Sequence, residues 1–171
     1  MEKEIINKVD QSGLIQIDLE ELYTKGQRVV VDLKPWLYEA LILKEKDFRN
    51  FAKEHDWSQY KDKFVAVTCS ADAIIPSWAF MIVAANLSPF AADLVFGDLQ
   101  KLEEYLYFKQ LTKIDPETYR NQRVVVKGCA DIPVPEAAYV ELIRLLQPVV
   151  KSIMYGEPCS TVPVFKSKEK I

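Results

Sequence analysis

Apolar and polar positions alternate over Leu14–Leu19 (LIQIDL), the period of a strand with one covered face, which suits a sheet edge. A second β-branched run, Gln27–Leu33 (QRVVVDL), follows a turn at Lys25-Gly26, and Glu20–Tyr23 between them has room for one helical turn. Trp36–Leu43 fits neither period and reads as a short helix or turn followed by extended chain. From Glu45 to His55 the period becomes helical. Phe48, Phe51 and Ala52 fall on one face, with Lys46, Arg49 and Lys53 elsewhere. Asp56–Lys63 is a loop with Trp57 and Tyr60 as anchors. Leu99, Leu102, Tyr105 and Leu106 make a further helical stripe with Asp98 as its N-cap. Thr161–Phe165 is a last extended piece, which Pro163 keeps away from a sheet centre.

Two stretches between these elements resemble each other. Val65–Asp98 falls on Val124–Glu157 without a gap, with about nine identities over roughly 34 positions. Ala71-Asp72 meets Ala130-Asp131, Pro76 meets Pro135, Pro89 meets Pro148 and Gly97 meets Gly156. Each copy reads as β-α-β. A β-branched strand comes first, then a proline suited to the first turn of a helix, then a helix that Pro89 or Pro148 terminates. A short apolar run closed by glycine completes the unit.

The pattern predicts one α/β domain over residues 1–171, with a mainly parallel sheet built from the two repeated β-α-β units and helices on both faces. Within it, residues 1–63 form a β-rich N-terminal segment that adds to an edge or packs across it. Residues 64–98 and 123–157 are the two copies, 99–122 a linking helix and turn, and 158–171 a C-terminal strand and tail. The first crossover helix, Ser77–Asn86, carries no charge, so burial on all sides is expected. Cover from within the chain, by the N-terminal segment or by Glu45–His55, comes first; a homodimer or other protein partner comes next.

Composition narrows the function. The net charge of −3 gives no footprint for a nucleic acid or an anionic membrane. The longest apolar stretch, around Ala71–Val95, is broken by Asp72, Pro76 and Pro89, and no membrane span is expected. The charged N-terminus is unlike a signal peptide, so a cytoplasmic setting with reduced thiols is expected. His55 is the single histidine, and beside Asp56 at a helix end it reads as a solvated helix terminus. No glycine-rich phosphate loop and no nucleophile motif with its base is present.

The remaining chemistry lies in Cys69, Cys129 and Cys159. No pair has the short spacing of a zinc motif. Each follows a strand of the inferred units, so an open parallel sheet would carry all three at its carboxyl edge, where such folds bind ligands. Cys69 and Cys129 would then face one another, with Asp72 and Asp131 beside them and helix N-termini at Pro76 and Pro135 favouring thiolate. That constellation suits zinc or iron, with an iron–sulfur cluster as a further option. The bland reading is that the thiols fill space in a core and the aspartates cap their helices or turns.

The segments CSADAIIPSWAFM, KGCADIPVPEAAYV and KSIMYGEPCSTVPVFK, with LILKEKDFRNF and HDWSQYKDKFVAV before them, resemble domain of unknown function 2480, a family found mainly in Bacteroidetes. GEPCSTVP is the most specific of these, and the three cysteines all fall inside matching segments. The resemblance implies no particular activity. The proximity of family genes to iron–sulfur cluster assembly genes implies a link to that process. Residues and resemblance together point to a non-enzymatic thiolate metal-binding or accessory protein. The alternatives are a thiol-dependent enzyme using Cys129 or Cys159 as nucleophile, and a structural interaction domain with inert cysteines that presents the Trp78–Val83 helix.

Overall fold

A computed structural model describes residues 13–128, 132–157 and 160–168. Its parallel strands divide between two sheets. In the first, β1 (Leu14–Asp18) and β6 (Ser152–Glu157) flank β5 (Arg123–Lys127) in parallel, and β7 (Ser160–Lys166) adds antiparallel to β6. In the second, β2 (Arg28–Asp32), β3 (Phe64–Thr68) and β4 (Asp93–Phe96) are parallel and in that order. The mainly parallel α/β class expected from the sequence is therefore present, but as two sheets. The cause lies in the N-terminal strands. LIQID pairs with the second β-α-β stretch and RVVVD with the first, so β3 and β5 have different neighbours and do not lie side by side in one sheet.

The chain divides into two compact units. One comprises the described residues up to Tyr23 and from Leu106 onward; the other is Thr24–Tyr105. The boundary falls inside the helix α3 (Leu99–Leu111). In the unit Thr24–Tyr105, α1 (Glu45–Glu54) and α2 (Ser77–Leu87) share one face of the sheet. Phe48 and Ala52 of α1 and Ala79, Val83 and Leu87 of α2 pack with Val31, Val65 and Val67. Truncating Leu87, which has no exposed surface, costs about 2–5 kcal/mol by the usual cavity scale. The opposite face carries Arg28, Phe64 and Asp93 in register. Arg28 lies 5.2 Å from the Phe64 ring centroid and makes a two-pronged pair with Glu103 of α3 at 2.6 and 3.2 Å, while Tyr105 of α3 donates to Asp93 at 3.0 Å. Helices thus cover both faces here.

In the other unit, Val124, Val126, Ile17 and Ile153 of the sheet pack against Tyr107 and Leu111 of α3 and against Ala138, Leu142 and Leu146 of α4 (Glu136–Leu146).

The two β-α-β stretches keep a spacing of 59 residues throughout. The pairs are Phe64–Thr68 with Arg123–Lys127, Ser77–Leu87 with Glu136–Leu146, and the 3-10 turns Trp57–Tyr60 with Pro116–Tyr119. Asp62 and Asn121 both take φ of 59°, and their amides bond to the carbonyls of Phe90 and Val149 respectively.

Two local expectations are corrected. α2 is not buried all round. Ala79, Val83 and Leu87 are inside, but Met81 is 68% exposed. Part of its cover does come from α1, whose Phe48 meets Trp78 edge-on at 5.7 Å and whose Arg49 lies over the same indole at 5.5 Å. His55 is not a solvated helix end either. It is half-buried among Trp36, Trp57 and Tyr60, with Nε2 3.0 Å from the Tyr60 hydroxyl. Trp57 anchors its loop as expected, buried and donating from Nε1 to the Ala52 carbonyl at 2.7 Å.

Candidate functional site

The strands β1, β5 and β6 run parallel and end together, which brings Asp18, Lys127 and Glu157 to one edge of the four-stranded sheet. Asp18 and Lys127 are register partners. Asp18 closes the turn after β1 by accepting from the Glu20 amide at 3.0 Å, and its other oxygen lies 3.1 Å from Lys127 Nζ. That hydrogen bond and the Asp18 charge hold Lys127 above the ordinary lysine value, with Glu157 and Glu20 adding to the effect.

Gly128 follows directly. A Cβ there would lie 3.0 Å from the Tyr139 hydroxyl and 3.2 Å from Leu19 Cβ, so the backbone passes where no side chain fits. Tyr139 and Tyr155 both donate to the Gly128 carbonyl, at 2.8 and 3.4 Å, and their rings meet edge-on. Gly156 turns β6 toward β7 at φ 118°, with the Ser160 carbonyl 2.6 Å from where its Cβ would be. The result is a cleft of about 250 Å3 walled by Asp18, Glu20, Lys127, Gly128, Tyr155 and Glu157. It lies at the carboxyl ends of parallel strands, where α/β sheets bind ligands.

The corresponding edge of the three-stranded sheet is closed by hydrogen bonds. Asp32 ends β2 and accepts from the amides of Lys34 (3.0 Å) and Ser70 (2.9 Å) and from the Ser70 hydroxyl (2.5 Å). Burial alone would push the Asp32 carboxyl up; these bonds outweigh it and hold the group below its ordinary value. Cys69 lies between Thr68 and Ser70 at this edge. It is half-buried and packs against the apolar cluster of α1 and α2.

Of the five residues read as a metal set, Cys69 and Asp72 belong to the unit Thr24–Tyr105, and Asp72 is exposed. Cys129, Asp131 and Cys159 lie outside the described residues. The sequence reading set Cys69 opposite Cys129 on the premise that β3 and β5 are neighbours in one sheet, and that premise does not hold. The 59-residue spacing pairs Cys129 with Ser70 instead, and Cys69 with Gly128. Asp72 caps no helix. The N-cap of α2 is Pro76, with no side-chain bond, as Pro135 is for α4. Among the described residues no three His, Cys, Asp or Glu side chains converge on a cation-sized space, and no helix is long and apolar enough to cross a membrane.

Sequence reasoning missed Asp18, Glu20 and Lys127. A signal for the first was present: Ile17-Asp18-Leu19 and Val31-Asp32-Leu33 share a strand-ending Asp-Leu step, and both leucines are wholly buried.

A family model described as "Protein of unknown function (DUF2480)" matches residues 3–167. No curated protein and no solved structure matches the chain.

Proposed function

We propose, for a chain that belongs to the DUF2480 family, a non-enzymatic role as a thiolate metal-binding or accessory protein, with its ion at the carboxyl edge of the four-stranded sheet. The observation that carries this reading is where the cysteine-bearing segments attach. Cys129 follows Gly128, which walls the cleft. Cys159 precedes Ser160, whose carbonyl closes on Gly156 of the same cleft. Successive Cα atoms are about 3.8 Å apart, so each thiol is one residue from a group at this cleft.

A metal ion bound beside a thiol would itself favour the deprotonated form that ligation requires. Asp18, Glu20 and Glu157 wall the cleft and are the available oxygen donors, with Asp131, four residues beyond Lys127 in sequence, as a further candidate. Since the described carboxylates form no cage of their own, the ion depends on the two thiols. Two sulfurs completed by oxygens suit four-coordinate zinc; iron, alone or in a cluster, is the other choice. Cys69 and Asp72 are set aside, because Cys69 packs among apolar side chains and Asp72 is exposed. A cytoplasmic setting and a link to iron–sulfur cluster assembly belong to the same proposal.

Elemental analysis of untagged protein purified without oxygen tests it. One equivalent of zinc or iron is expected, lost in Cys129→Ser and in Cys159→Ser and kept in Cys69→Ser. Ligation by thiolates releases protons, so the bound fraction falls as pH is lowered. Metal-free protein that takes up neither ion on reconstitution contradicts the proposal.

A further inference from the structure

The outer edges of the two sheets are finished differently. β6 carries β7 antiparallel along its outer edge, whereas β4, at the corresponding place, has no outer neighbour among the described residues. Both edges border an apolar groove against the crossover helix. The one beside β6 is lined by Tyr139, Ile143 and Met154, and Val164 of β7 forms part of its wall. The one beside β4 is lined by Phe80, Met81, Ala84 and Phe96, with no such strand. Met81 there is 68% and Phe96 70% exposed, and the Phe96 ring stands edge-on to Phe80 at 5.0 Å. An open strand edge flanked by bare apolar side chains is a template for another strand.

The backbone fixes which groups are on offer. Gly97 donates to the Val67 carbonyl at 2.9 Å. In a parallel ladder the N–H and C=O of one residue point the same way, and successive residues alternate. Val95 therefore faces β3, and Leu94 and Phe96 face outward. Consistent with this, the Leu94 amide is held by its neighbour's carboxylate, Asp93 Oδ1, at 3.1 Å.

We infer that β4 pairs antiparallel with β4 of a second copy of this chain, about a two-fold axis through Val95. This inference is independent of the thiol site. A two-fold normal to the sheet brings like faces together, so positions of like parity meet. Leu94 exchanges both hydrogen bonds with Phe96 of the second copy, its amide turning from Asp93 Oδ1 to the Phe96 carbonyl, on the face where Phe80 and Met81 are bare. Asp93 arrives opposite Gly97 of the second copy. A Cβ at Gly97 would lie 2.9 Å from Lys101 Cβ, which puts Lys101 on the face that Asp93 shares. Each copy's Asp93 carboxylate then approaches the other's Lys101 ammonium. Lys101 is 65% exposed and bonded to Glu104, with further donors to spare. This twofold charge match favours a second copy over a foreign strand.

Sedimentation velocity on the full, untagged chain with thiols kept reduced tests the inference. A concentration-dependent dimer is expected. Phe96→Asp weakens it by at least about tenfold with the fold intact, because the ring is mostly exposed. Lys101→Asp weakens it too, and adding Asp93→Lys restores association. Val95→Cys, in a chain whose native cysteines are alanine, oxidises to a covalent dimer, since facing residues of a non-hydrogen-bonded pair have Cα atoms about 4.5 Å apart, within disulfide reach. A chain that stays monomeric at every concentration overturns the inference. So does a dimer indifferent to Phe96→Asp, or one in which Val95→Cys fails to cross-link.

Discussion

At the carboxyl edge of the three-stranded sheet, Asp32 is bonded by two amides and a hydroxyl, and the loop after β3 is pinned to it. At the corresponding edge of the four-stranded sheet, Asp18 holds one amide and an ammonium, Gly128 carries no side chain, and a cleft remains. The elements recur at a 59-residue spacing, but the second residue after the strand differs between the two stretches. Ser70 supplies a hydroxyl and an amide that complete Asp32. Its counterpart by spacing is Cys129, whose thiol is a weak hydrogen-bond donor and a strong metal ligand once deprotonated. One edge is closed by hydrogen bonds, and the other keeps a cleft.

Substitutions can break this contrast. The largest effect is expected from Gly156→Ala. It forces a Cβ to 2.6 Å from the Ser160 carbonyl at a positive φ, and should cost about 2–4 kcal/mol, read by urea unfolding. Asp32→Ala comes next, at about 2 kcal/mol near pH 7, for lost charge-assisted bonds. The folded Asp32 carboxyl is held below its ordinary value. Its contribution is therefore full above the unfolded value of about 3.9 and is lost as pH falls through the folded one, so the gap between variant and parent should begin to narrow below about pH 4 and close only below the folded value. An unfolding series at pH 7, 5 and 3.5 reads this directly. Asp18→Ala should lose about 1 kcal/mol through its turn bond to Glu20, less than Asp32→Ala, while altering metal affinity more. Cys69→Ala, which removes a half-buried sulfur from an apolar cluster, should change stability least and leave metal content unchanged.

Much of the fold was legible in the sequence because it depends on local period and punctuation. The alternation in LIQID, the β-branched run in RVVVD, the prolines opening α2 and α4, and the Asp98 cap, which accepts from Lys101 at 2.9 Å, all act within a few residues. Strand partnership was not legible. β1 and β2 are both five-residue strands ending in Asp, and nothing in either tells which stretch it will join, because the choice is made by contacts more than thirty residues away. The candidate site inherited that gap. Cys69 and Cys129 looked equivalent because each follows a first strand, but they follow strands of different sheets. The uncharged α2 misled for a related reason: a lack of charge permits full burial without compelling it, and Met81 stays in solvent.

The claim that the four-stranded sheet's edge is the metal site, held by two thiols and not three, is met most directly by X-ray absorption at the metal edge of the loaded, untagged protein. The expected result is two sulfurs near roughly 2.3 Å with oxygen completing the shell, unchanged in Cys69→Ser and lost in Cys129→Ser. Three sulfurs, one of them removed by Cys69→Ser, or a shell of oxygen and nitrogen alone, would contradict it.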